Sequence, residues 1–327
     1  MTQRKTGTMM RRLLAGLSLS AALLLPVSEG LAQGRGANLP PGTPGSNRMA
    51  EFWAAKPSTL TPYVAPNRVH WKLSEILASH RGRADWVQPL VRNPEQEADY
   101  ISMGPGRKTK PAFYADDRVV FIVWDGQLRV SVAGREPFVA SKGFMVNIPA
   151  RHIYTLETVG DRPSLRMEAR QAGAPLLYPA SETPDPRPVF NYIKTTGTPG
   201  PWVDRDTNPL YLDFFKTLET QGRVPTPVFR DDHFTVNAIR GAAAPVPPDT
   251  DLGHFHVGIT EFWFVMEGSI GFKIEGFPYF KTEPGDVVAA VKGRWHRTGN
   301  DPSAPFSTRI PINPRPPALH VRELPRQ

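Results

Sequence analysis

The chain contains no cysteine, which excludes disulfide staples, thiolate metal ligands and a cysteine nucleophile. It also lacks a basic patch. Arg81, Arg83, Arg107, Lys108 and Lys110, then Arg294 and Arg297, are dispersed without a continuous basic helix or a reading motif, so no nucleic-acid partner is expected. No apolar run of spanning length follows the first 32 residues. Within residues 1–32, Arg4, Lys5, Arg11 and Arg12 precede the apolar stretch Leu13 to Leu25, and Gly30-Leu31-Ala32 supplies small residues for cleavage before Gln33. That order reads as a secretory signal peptide, with a retained anchor as the alternative, and Arg11-Arg12 also permits a twin-arginine route. A periplasmic or secreted protein is expected, out of contact with membrane once the leader is cleaved. Without Arg4, Lys5, Arg11, Arg12 and Glu29, 35 basic residues face 30 acidic ones, a net charge of +5, compatible with small anionic substrates.

What the chain has in abundance is proline. The 36 prolines fall in connecting segments such as Leu39-Pro40-Pro41-Gly42, Pro184-Asp185-Pro186 and Pro245-Val246-Pro247-Pro248, which indicates short strands joined by rigid turns. Its 327 residues suffice for two barrels of about 100 residues each plus connections.

The strongest functional signal is Gly253-His254-Phe255-His256, followed by Glu261 and Gly268, then by Gly285, Gly293, His296 and Asn300. His254 and His256 are two apart, so on a strand both leave the same face while Phe255 points the other way. After a short connection containing Gly258, Glu261 opens the run Phe262-Trp263-Phe264-Val265-Met266, which reads as the next strand of a hairpin. A further strand, Val287 to Val291, ends in the turn Lys292-Gly293-Arg294, which returns the chain so that His296 faces the same interior. Three neutral imidazoles and one carboxylate form a borderline-to-hard donor set for one divalent transition metal, whether Fe, Mn, Cu, Ni or Zn. A six-coordinate ion would keep two positions open for water or substrate.

This spacing resembles the cupin family. The resemblance covers about residues 225 to 315 and implies a small jelly-roll barrel in which His254, His256, Glu261 and His296 are the metal ligands. Two positions depart from the family pattern: Pro248 and Val291 stand where glycine and proline are usual, changes that bear on turn shape more than on ligation. A second copy of the pattern lies upstream. Val120 through Gly126 aligns with Phe262 through Gly268, and Gly143 with Gly285, at a constant offset of 142 residues. At that offset the ligand positions fall on Ala112, Tyr114, Val119 and Tyr154, none a usual ligand. The expected fold class is therefore all-β: two jelly-roll (cupin) barrels in tandem with a few short helices, only the second barrel binding metal.

The expected organisation is a leader (1–32), an arm with a short helix (33–96), a first barrel without ligands (97–172), a linker with a helix (173–224), and the metal-binding barrel with its tail (225–327). The first helix is expected over Trp71 to His80; for the second, Asn208 and Pro209 suit the N-cap and first-turn positions, with Leu210, Phe214 and Leu218 on one stripe.

Function is less determined, because metal-binding cupins include dioxygenases, decarboxylases, other lyases, isomerases and binding proteins. The leading expectation is an exported oxidoreductase of the dioxygenase type acting on a small-molecule substrate. The alternatives are a Mn-dependent decarboxylase or lyase of a small acid, and a non-catalytic metal- or ligand-binding protein. Glu261 is the candidate catalytic residue through its place on the metal. Trp263, on the same strand face as Glu261, is a candidate for substrate contact, as is Arg294, for holding a substrate carboxylate at the mouth. Arg240 and Arg309 are weaker candidates; either one inside the barrel would point to an acidic substrate. A homo-oligomer is compatible with all of these readings.

Overall fold

Six consecutive side chains, Glu261 through Met266, are buried in the strand Glu261–Glu267, and six more, Val119 through Trp124, in the strand Val119–Asp125. A strand with one wet face alternates between apolar and polar residues; continuous burial requires cover on both faces. The computed structural model describes residues 51–197, 207–314 and 319–322 and shows what provides that cover. The expected leader, residues 1–32, lies outside the described residues. From Trp53 onward the chain forms one compact unit.

Each barrel is a large antiparallel sheet closed by a smaller one. The N-terminal barrel has the strand order Tyr211–Asp213, Phe144–Ile148, Val119–Asp125, Ser164–Gln171, Gln96–Met103, Trp86–Arg92, with Phe138–Ala140, Gln127–Val132 and Tyr154–Val159 as a second sheet. The C-terminal barrel has the order His70–Trp71, Val287–Ala290, Glu261–Glu267, Phe306–Pro314, Phe234–Val236, Phe229–Arg230, with Phe280–Thr282, Ile270–Ile274 and His296–Asn300 as its second sheet.

Strand alternation sorts the apolar residues into three cores. Phe121, Val123, Leu128, Val130 and Leu156 fill the N-terminal barrel, and Trp263, Val265, Ile270, Phe272 and Val288 fill the C-terminal one. The intervening positions, Val120, Ile122 and Trp124 with Phe262, Phe264 and Met266, belong to a third core shared by the two large sheets. There Trp124 meets Phe264 edge to face at 5.3 Å. Polar groups cross the same boundary: the Tyr100 hydroxyl donates to the Gly285 carbonyl, and the Gln96 amide donates to the Thr260 carbonyl at 3.1 Å.

Both barrels draw on strands and helices outside the segments expected for them. His70–Trp71, placed in the arm by the sequence reading, pairs with Val287–Ala290 of the C-terminal barrel. Tyr211–Asp213, placed in the linker, pairs with Phe144–Ile148 of the N-terminal barrel. Trp86–Arg92, also placed in the arm, is an edge strand of the N-terminal sheet. The helices follow the borrowed strands: Leu73–Ser79 after the first and Phe214–Gln221 after the second. The second helix begins later than expected. Asp213, and not Asn208, caps it by accepting from the Lys216 N–H at 3.1 Å, because residues 211–213 are held by the sheet edge. Asn208 instead bonds the backbone of Arg230 through both side-chain atoms, at 2.9 and 2.8 Å.

The pseudo-repeat extends to the turns. Gly143 and Gly285, with φ of 90° and 93°, adopt the left-handed region at equivalent corners where a helix packs. A Cβ on Gly143 would sit 2.4 Å from the Phe215 ring, and one on Gly285 would sit 2.5 Å from Leu73, so only glycine lets either helix seat. The arm lies along the C-terminal barrel where it is described: Lys56 pairs with Glu275 at 2.8 Å and the Tyr63 hydroxyl donates to the Ala289 carbonyl at 2.7 Å. Among the described residues no helix is long and apolar enough to cross a membrane.

Candidate metal centre

The site begins with a glycine. Gly253, at φ of 75°, passes so close to the strand His296–Asn300 that a Cβ there would lie 2.1 Å from the His296 carbonyl oxygen. This approach puts His254 directly opposite His296, each donating its backbone N–H to the other's carbonyl at 3.1 and 2.8 Å. His256 lies two residues on, and Glu261, opposite Ala290, opens the adjoining strand. The four expected ligands therefore come together. Glu261 Oε2 lies 3.0 Å from His256 Nε2, 3.3 Å from His296 Nε2 and 3.9 Å from His254 Nε2, and the Nε2 atoms of His254 and His296 are 3.0 Å apart. All four donor atoms lie within 4.8 Å of one another.

Protonation decides what such a cluster can hold. The Nδ1 atoms of His256 and His296 face the carbonyls of Leu319 and Arg294, at 2.9 and 3.0 Å, which places the ring hydrogen on Nδ1 and leaves the Nε2 lone pair facing inward. Burial lowers the pKa of His254 to about 3, against the opposing pull of Glu261. Burial alone would raise Glu261, but wherever the imidazoles present N–H groups to it in place of a cation their hydrogen bonds outweigh burial and hold the carboxyl well below its usual range. Inward lone pairs facing a buried carboxylate repel one another unless a cation lies between them. Adjacent donors about 3 Å apart are also what metal–nitrogen bonds of about 2.1 Å at right angles produce. The residues fit one divalent transition metal, and the carbonyls of Leu319 and Arg294 supply the outer support that fixes ring orientation.

Two neighbours escaped the sequence reading. Asn313 donates to Glu261 Oε1 at 3.1 Å and so orients the carboxylate; no motif marks it. The His320 ring lies tilted, 4.4 Å from the His254 ring and 5.0 Å from His256, its pKa lowered to about 4 by burial first and by His256 second. Its only sequence signal was being a histidine in a proline-rich tail. That tail is stitched down by the pairing of Phe255 with Val321. Trp263 was foreseen on the metal-facing side of its strand and lies there, 5.3 Å from the His296 ring and 5.4 Å from Phe272.

Arg294, the expected carboxylate holder, is turned toward the arm. Its guanidinium is spent on backbone carbonyls, donating to Thr61 at 3.0 and 2.6 Å and to Glu275 at 2.6 Å, with the Tyr63 and Phe277 rings at 5.0 and 5.4 Å. It fastens the arm, with three of its five N–H groups given to these carbonyls. Arg240 is likewise engaged, with Glu267 at 2.6 Å. Arg309, by contrast, faces the barrel interior, across from Val265.

The fold is shared with known structures. A salicylate 1,2-dioxygenase from Pseudaminobacter salicylatoxidans matches with a TM-score of 0.53 at 14% identity, over 75% of this chain and 83% of that one. A cupin 2 conserved barrel protein from Leptotrichia buccalis matches at 0.49 and 12%, over 78% and 99%, and an oxalate decarboxylase from Bacillus subtilis at 0.47 and 11%, over 81% of each chain. In fold, the chain is a bicupin. No family model matches it, nor does any curated protein sequence. Among its described residues the complete metal motif is in the C-terminal cupin alone. The N-terminal cupin reproduces even the pairing of His254 with His296, as Ala112 with Tyr154, without a donor set.

Proposed function

We propose that this bicupin is an exported, metal-dependent oxidoreductase of the dioxygenase type that acts on a small organic substrate in its C-terminal barrel. The observation that carries the reading is the convergence of the His256 and His296 lone pairs on the Glu261 carboxylate, with His254 completing the set. When bound, a redox-active ion supplies electron transfer and Lewis acidity at the positions the protein leaves open. The chain's own contribution is positional. Glu261 balances one positive charge, Asn313 holds its second oxygen, and Trp263 with Phe272 forms an apolar wall that suits an organic substrate. The fold shared with a dioxygenase supports the reaction class, and the basic, apolar, small-residue order of residues 1–32 supports export.

The test is elemental analysis of the purified protein followed by an oxygen-uptake screen with phenolic, enolic and diketone compounds. One metal per chain and oxygen uptake with at least one compound are expected. Glu261→Gln should lower turnover more than it lowers metal content, because it removes charge from the ion while keeping the side chain's shape. Silence of the iron, copper, nickel and manganese forms across the whole screen would end the oxidoreductase reading. Carbon dioxide release without oxygen uptake would replace it with the lyase.

A further inference from the structure

We propose that Arg309 is the carboxylate-binding residue of the C-terminal barrel, so that the substrate is a small organic acid. This rests on the reading that the C-terminal barrel holds the reactive site, and it adds the chemical class of what enters.

The strand Phe306–Pro314 sends Ile310 and Ile312 into the core between the sheets. Alternation then turns Arg309 and Asn313 to the opposite face, where Asn313 touches Glu261. Arg309 stands directly across from Val265, a residue of the barrel's own core. Among the described residues its guanidinium has no hydrogen-bond or ion-pair partner. Burial lowers its pKa to about 10, with Glu261 opposing the shift and Arg297 adding to it. It still carries its charge at neutral pH. A part-buried guanidinium with no acid hydrogen-bonded to it keeps its donors for an incoming group, and a carboxylate matches its fork with two parallel hydrogen bonds.

The N-terminal barrel shows that the missing partner is a difference between the two halves. Arg166 stands across from Val123, the position equivalent to Val265 at the 142-residue offset. There the next inward residue of the strand is Glu168, which pairs with Arg166 at 2.9 Å, both side chains buried. Arg170, one further inward position along, is held by Asp99 at 2.9 Å and Glu97 at 2.8 Å. In the C-terminal barrel the residue matching Glu168 is Pro311, across from Trp263, and the residue matching Arg170 is Asn313. One barrel carries its own acid for its inward arginine; the other has replaced that acid with proline and built a metal site beside it.

The experiment uses the full chain loaded with zinc, which is redox-inert, so that binding is read without oxygen chemistry. Calorimetry compares benzoate, pyruvate and succinate with their neutral amides. At least one acid is expected to bind about tenfold or more tighter than its amide, and Arg309→Gln should erase that preference, since a charge-assisted pair is worth roughly one to two decades of affinity, while zinc stays at one per chain. Pro311→Glu rebuilds the N-terminal arrangement and should also abolish the preference while raising the melting temperature, which separates loss of the site from loss of the fold. Equal binding of acids and amides, or a preference unchanged in Arg309→Gln, overturns the proposal. So does inorganic phosphate binding Arg309 more tightly than every carboxylate. Because no turnover is involved, failure of the dioxygenase reading leaves this result standing, and failure here leaves oxygen uptake to be judged alone.

Discussion

The two barrels share a strand plan, their corner glycines and a core, yet they fill their interiors in different ways. The N-terminal barrel closes its interior with Tyr114 and Tyr154 and neutralises its buried arginines with Glu168, Asp99 and Glu97. The C-terminal barrel has His256 and His296 at those tyrosine positions, a carboxylate at Glu261, and an arginine without an acid. A barrel that pairs its inward arginines with its own acids needs no ligand to neutralise them. One that leaves lone pairs facing a carboxylate, and a cation facing neither, is incomplete until ligands arrive. The N-terminal barrel donates one wall of the shared core, and among the described residues it carries no part of the metal motif.

The largest expected effect tests the functional half. His254→Ala or His296→Ala removes a ligand from a site with no spare donor in the motif, so metal content should fall from one per chain to nearly none by elemental analysis; full occupancy in either variant would break the comparison. Next in size is the shared core. Phe264→Ala should cost about 3–5 kcal/mol, and unfolding followed through both halves should move together, because Phe264 and Trp124 contribute to one core. Two separate transitions would show that the halves are energetically independent. A smaller effect is expected from Arg294→Ala, about 1–3 kcal/mol of stability from unpaired carbonyls, with metal content unchanged; altered affinity for acids in that variant would return Arg294 to the substrate site. The smallest is an expected absence. Ala112→His, Tyr114→His, Val119→Glu and Tyr154→His together transplant the donor set, yet the chain should still bind a single metal, because Arg170, across from residue 119, keeps a positive charge beside the grafted site. Adding Arg170→Asn, the residue found at the equivalent position 313, should permit the second metal.

Much of this was legible before any coordinates. The ligand quartet showed in its spacing, and the repeat in an ungapped offset of 142 residues that reappears as paired bridges, Ala112 with Tyr154 and His254 with His296. The exchanged strands were not legible: His70–Trp71 is two residues long, too short for a periodic signal, and its partner lies more than 200 positions away. The start of the second helix was misplaced for a related reason, since Asn208 and Pro209 suit an N-terminus locally but sheet pairing of residues 211–213 prevailed.

By itself, then, the sequence determined which side chains share a strand face, that two copies of one plan exist, and that the second carries the complete metal motif; these follow from local spacing and the strand period of two. Tertiary structure decided the rest. It spent Arg294 on the arm, set Asn313 against Glu261, brought His320 over the histidines, and left Arg309 without an acid. Each of these depends on which distant backbone or side chain arrives beside a given group, and a buried charge takes its meaning from the partner it finds or lacks.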